Sequence, residues 1–289
     1  MRIISSCFLI ICCVLALSVP VHAAGKPQPV YVPCTTKATD MDLLEVAKVK
    51  AVLKSNQIQM ENGAVFILDN IRIPVPYERM ARDFLEQLVK DKTVGLYANK
   101  TLPLAGQADD KGNEIVHAVL EDGTWVQEAM VGAGLAWVDS SPTNRDCVRT
   151  LYKAEIIARA KKKGFWEAPD FKIRDGSHMN NTIGTFIIFE GVPRIWRGNA
   201  GYDFFGFGPG PEVNRRTMTI ALKHEDEYAF GILSSNPTLH PFTPAGLAHT
   251  RMRIRGWVEP MQGGIVANTP MMRLTHPEQL ELPDGNPFN

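Results

Sequence analysis

Residues 109–138 read DDKGNEIVHAVLEDGTWVQEAMVGAGLAWV, and this stretch decides the fold. Asp109-Asp-Lys-Gly112 has turn composition, and Glu114 to Leu120 is an apolar run of strand length. Asp122-Gly123 supplies a second turn. Thr124-Trp-Val-Gln127 has capping-box spacing, in which a threonine hydroxyl and a glutamine amide satisfy orphan donors at a helix start. The spacing predicts a short helix to about Val131, after which Gly132 and Gly134 return the chain to Leu135-Ala-Trp-Val138. One segment thus contains turn, strand, turn, helix and strand.

On the N-terminal side, Val46–Leu53, Gln57–Met60 and Val65–Ile71 read as strands, and Asn62-Gly63 between the last two is a strong hairpin signal because both residues tolerate positive φ. Pro74 and Pro76 stop the sheet, since proline offers no ladder donor. Ala81, Phe84, Leu85 and Leu88 then fall on one helical face. Thr93–Ala98 is a further strand. On the C-terminal side a helix from about Asp146 buries Cys147, Leu151, Ala154 and Ala158. Lys161 to Lys163 complement its dipole and Gly164 ends it.

The words ARDFLEQLVKDKTVGLY (81–97), residues 109–138 and LYKAEIIARAKKKGFW (151–166) resemble the staphylococcal-nuclease-like, or thermonuclease, family over roughly residues 44–168. The resemblance implies a β-rich α+β architecture: a five-stranded barrel of the oligonucleotide/oligosaccharide-binding type with three helices. It also implies where an active site would lie. Active members cleave phosphodiesters with calcium held by carboxylates, a glutamate beside the attacking water and two arginines on the phosphate. That chemistry needs hard oxygen ligands and positive charge where the transition state gathers negative charge.

At the matching positions this chain has other residue types. Lys54-Ser-Asn-Gln57 stands for an acidic strand start, and Ile67 stands for the first arginine. Arg72 replaces a calcium carboxylate, Ile73 and Pro74 follow, and Val75 replaces the glutamate. Asn113 stands where the second arginine belongs. Five losses in three motifs make this a degenerate member, with no catalytic residue, metal ligand or cofactor expected. Glu78, Asp109, Asp110 and His117 lie near the same motifs, but a solvated turn and a packed imidazole account for them more simply. His178, His224, His240, His249 and His276 show no metal-binding spacing.

Residues 1–24 carry Arg2, an apolar run and a small-residue cleavage site at Val21-His-Ala23, so they are expected to be a secretory signal removed after Ala23 or Ala24. The protein is then exported, to the periplasm or beyond, without a membrane span. Residues 25–43 read as an extended lead-in. Cys34 and Cys147 survive cleavage, and an oxidising compartment favours one disulfide between them over two free thiols. Loss of Arg2 leaves 30 basic against 31 acidic residues, which argues against a general polyanion binder.

Residues 169–180 lose apolar period and read as a linker. Residues 181–284 read as a second all-β domain, expected to be a small OB-like barrel. In it Arg251, Arg253 and Arg255 alternate on one strand face while Met252 and Ile254 face the core. With Tyr202, Phe204, Phe205 and Phe207 nearby, those arginines are candidate single-strand nucleic-acid contacts; the alternative is a solvated face neutralised by Glu225, Asp226 and Glu227. The sequence therefore favours an exported nuclease-like binding or scaffold module for a protein partner in the cell envelope. A divergent metal-dependent nuclease and a single-stranded nucleic-acid binder are the alternatives.

Overall fold

The computed structural model describes residues 41–98, 108–142, 145, 147–176, 179–208, 217–226, 251–262 and 268–281. The signal, Cys34, His178, His240 and His249 lie outside these. Strands β1 (Asp42–Lys54), β2 (Gln57–Met60), β3 (Val65–Leu68), β5 (Thr93–Ala98) and β6 (Glu114–Leu120) close a barrel in the order β1-β2-β3-β6-β5. The long first strand makes closure possible: its N-terminal half pairs with β5 and its C-terminal half with β2. Register shifts between Leu43 and Glu45, Val49 and Ala51, and Val52 and Lys54 bend it around the barrel. Within the barrel, β3 and β6 pair in parallel and the other neighbours are antiparallel.

The Asn62-Gly63 hairpin forms as expected, with Gly63 at φ 90° and the Asn62 side chain accepting from the Ala64 amide. The returning strand ends at Leu68. Ile71 and Arg72 form a separate short strand, β4, paired with β7 (Trp137–Val138). After the prolines, α1 (Glu78–Val89) buries Ala81, Leu85 and Val89.

Helix α2 (Val126–Gly132) occurs where expected, but the capping box does not form. Trp125 is its N-cap, with no side-chain cap bond. Gln127 instead turns inward, donating to the Val116 carbonyl at 2.8 Å and accepting from the Ala118 amide at 3.2 Å. A fully buried amide must find two partners, and the strand backbone supplies them. Helix α3 (Val148–Ala160) buries Val148, Leu151, Tyr152, Glu155 and Ala158. Buried Cys147 precedes it, with Sγ 4.0 Å from Met41 Sδ.

In the second half, β8 (Phe186–Gly191), β9 (Ile195–Gly198), β10 (Tyr202–Phe207), β11 (Met218–Lys223), β12 (Met252–Pro260), β13 (Pro270–Leu274) and β14 (Leu280–Glu281) form one seven-stranded sheet. The order is β14-β12-β13-β11-β10-β9, with β8 on the other side of β12. The region is all-β, as its sequence implies. The described pairings make a sheet rather than the expected closed barrel.

The halves are not independent bodies. Trp137, Ala158, Phe165 and Trp166 from the first pack with Phe186 and Ile188 from the second, and Tyr77, Phe171 and Ile173 join them. Residues 169–176, expected to be a linker, thus contribute to packing, and Arg174 bridges to Phe189.

The face of β12 bearing Arg253 and Arg255 lies against α3. Arg255 is 2% exposed and donates to both oxygens of Glu155 at 2.9 and 3.0 Å, to the Val138 carbonyl at 2.9 Å and to Glu281 at 3.2 Å. Glu281 also accepts from Arg159 and from Arg253. Burial works against the charge on Glu281, but the arginines outweigh it and hold its carboxyl below the usual range. Arg145 grips Glu278 with two bonds, and Ser140 Oγ meets His276 Nε2 at 2.8 Å.

Gly134 (φ +68°) and Gly164 (φ +54°) lie back to back, and a Cβ on either would come 2.1 Å from the other side's backbone oxygen. Gly134→Ala or Gly164→Ala is therefore expected to lower stability by about 3 kcal/mol, through overlap plus left-handed strain, as read by urea denaturation. Acid should act through the histidines. Burial depresses His117 to about 3, and burial with the Arg145 charge does the same to His276. The unfolded chain takes up those protons near pH 6.5. Stability present above that pH should fall as pH drops towards 3, by up to about 1.4 kcal/mol per pH unit for each histidine. Denaturation midpoints of wild type and His276→Gln between neutral pH and pH 4 measure this, with a shallower loss expected in the variant.

Candidate active site at the proline corner

The corner between β4 and α1 is where the sequence places a nuclease site. Pro74 begins the turn, and its carbonyl accepts from the Tyr77 amide at 2.8 Å. Arg72 points away from the barrel core towards the second sheet. Its Nε and Nη2 both lie 2.6 Å from Asp139 Oδ2. The guanidinium carbon sits 4.9 Å from the Trp257 ring centre and 5.4 Å from that of Phe186. Burial pushes the Asp139 carboxyl up, and the Arg72 charge pulls against it. The cation is thus held by one carboxylate of its own domain and two rings of the other.

The remaining corner positions are apolar or used locally. Ile73 packs on the barrel core, while Val75 is 78% exposed. Ile67 lies on β3 between Gln57 and Ile115. Asn113 donates its amide nitrogen and its backbone N–H to Asp109, at 2.9 and 2.8 Å, and the Lys111 amide adds a third bond at 2.9 Å. These bonds, the Asn113 side chain first, hold the Asp109 carboxyl below its usual range. Asp109 therefore organises its own turn, and Asp110 and Glu78 are exposed.

His117 is fully buried beside Trp125, with neither ring nitrogen hydrogen-bonded and Nε2 3.7 Å from Asp69 Oδ2. With its pKa near 3 it stays neutral in the core. His224 lies in the turn that follows β11, 3.6 Å from Asp203. Among the described residues no three His, Cys, Asp or Glu side chains converge in a way that would hold a metal ion, and no helix is long and apolar enough to cross a membrane.

The proposed nucleic-acid contacts are placed differently from expectation. Arg255 is buried in the interdomain cluster and Arg253 is shared by Glu190 and Glu281, so neither guanidinium faces a polyanion. Arg251 is exposed but paired with Glu190 at 2.8 Å. The neutralising carboxylates are Glu155, Glu190 and Glu281 rather than Glu225 or Asp226, and Glu227 lies outside the described residues. Phe205 and Phe207 are core residues, whereas Tyr202 and Phe204 stack at 5.7 Å on the opposite face of β10. Sequence reasoning missed Glu155 as a structural acid. Its signal was visible, since it lies in the apolar stripe of α3 where an unpaired carboxylate would be costly.

No curated protein matches the chain. A family model described as "Staphylococcal nuclease homologue" matches residues 44–168, which hold the closed barrel, the three described α-helices and the proline corner. Residues 44–168 of this chain are a domain of the staphylococcal nuclease family, set against an all-β sheet region.

Proposed function

We propose that the protein is an exported, non-catalytic nuclease-like module that binds or scaffolds a protein partner in the cell envelope. The observation that carries this reading is the commitment of Arg72. A carboxylate at that position would present oxygen to calcium, whereas a guanidinium repels a divalent cation and offers no lone pair. Its Nε and Nη2 are committed to Asp139, and its faces to Phe186 and Trp257. Val75 supplies no acceptor to orient water, and neither Ile67 nor Asn113 can place positive charge on a phosphoryl oxygen. A protein partner follows by elimination, because the arginines that would have met nucleic acid are paired with glutamates. Export rests on the leader-like first 24 residues, and the oxidising compartment it implies supports a Cys34–Cys147 disulfide.

Incubation of the mature protein with single- and double-stranded DNA and RNA, with and without calcium, is expected to give no metal-dependent cleavage. Cleavage that needs calcium and disappears in Asp109→Asn/Asp110→Asn would replace this reading with that of a divergent nuclease. Arg72→Ala is expected to cost roughly 1–2 kcal/mol of stability, because it removes a partly exposed ion pair and two cation–π contacts. A thermal unfolding midpoint unchanged from wild type would show that Arg72 is not the clasp described.

A further inference from the structure

Helix α3 has a second face that the interdomain cluster does not use. Arg149, Lys153, Ile157 and Lys161 follow one another at four-residue steps along its solvent side, and Lys162 and Lys163 continue the series. All six are exposed, Ile157 by 52%. The acid of this helix, Glu155, faces the other way, buried against Arg255. Among the described residues no carboxylate pairs with any of the five cations.

Helix-end electrostatics explains only part of this pattern. Lysines at the C-terminal end are favoured by the helix dipole, but Arg149 stands in the first turn, at the positive end, where a cation is disfavoured. Like charges four residues apart also repel. Ile157 adds an exposed apolar side chain in the middle of this row of cations. A row of unpaired cations flanking an apolar side chain matches the surface of an anionic bilayer, where phosphates meet the cations and acyl chains receive the apolar group.

We propose that this face of α3 is a peripheral docking surface for anionic phospholipid headgroups, with Ile157 entering the headgroup boundary. The face carries no aromatic ring on which a base could stack, which sets nucleic acid aside. The inference does not depend on whether the proline corner is catalytic. Binding is reversible, because a single short helix face with one inserted side chain is a weak anchor.

The test is co-sedimentation of the mature protein with vesicles containing phosphatidylglycerol and with vesicles of phosphatidylcholine alone. Preference for the anionic vesicles should be at least tenfold at about 0.1 M salt and vanish near 1 M, where screening is short-ranged. Each cation is worth about fivefold, so Lys153→Glu/Lys161→Glu should lose more than tenfold. Lys162→Glu/Lys163→Glu, beyond the helix, should lose a similar factor while a circular-dichroism spectrum matching wild type shows that the fold is intact. Ile157→Ser should bind several-fold less while retaining the salt dependence. Equal binding to both vesicle types, or unchanged binding in both lysine variants, overturns the proposal. So does retention of a labelled oligonucleotide through these lysines in the absence of vesicle binding.

Discussion

The structure depends on a single buried cation. Arg255 enters the junction between the barrel domain and the second sheet almost without solvent contact, and its charge is tolerable only because four bonds reach it. Glu155 and Glu281 come from opposite halves, and the Tyr152 ring lies 4.2 Å from the guanidinium carbon. Removing one member would strand the others in a low-dielectric site, at a cost of about 3–5 kcal/mol. An apolar replacement of matched shape could pack as well, so the cluster is better understood as fixing one arrangement than as adding stability. The seating of β12 on α3 brings Arg255 Nη1 and Nη2 to Glu155, Glu281 and the Val138 carbonyl together.

That seating determines what happens at the proline corner. Arg255 and Trp257 alternate on the same face of β12, so the strand that delivers the buried cation to Glu155 also delivers the indole to Arg72. Position 72, at the proline corner, is part of the interdomain contact. Arg72 and Asp139 neutralise each other and the aromatics cover the pair. A carboxylate at position 72 would face Asp139 at close range and lose both ring contacts, so the present packing depends on the cation.

The barrel was legible where local chemistry and tertiary demand agree. Asn62-Gly63 satisfies both the turn and the hairpin register, and the apolar stripe of α1 satisfies both helix and core. Legibility failed where a distant partner overrides a local signal. Thr124 and Gln127 have the spacing of a cap, but Gln127 is drawn into the strand backbone because it lies over the barrel. The alternation of Arg251, Arg253 and Arg255 was correctly read as one face, yet nothing local shows that the face meets α3 rather than water. Phe171 and Ile173 lie in a segment without apolar period, so packing there leaves no repeating trace. Strand β14, two residues long, is too short to announce itself.

The same logic qualifies the use of net charge. A balanced composition argues against a polyanion-binding surface only if acids and bases are evenly exposed. Here they are sorted by depth: Glu155 and Glu281 are buried and Glu190 is mostly so, each facing arginines, while the lysines of α3 stay in water. Arginine suits the inner role because its planar fork satisfies a carboxylate with two bonds and keeps its charge when desolvated. Lysine suits the outer one because its ammonium is strongly hydrated. The arginines leave the surface together with the acids they pair, so the overall balance is unchanged; what changes is local, because Glu155, the acid of α3, is turned inward and the solvent side of that helix keeps only positive charges. The charge of this face therefore follows from where the residues sit, not from composition.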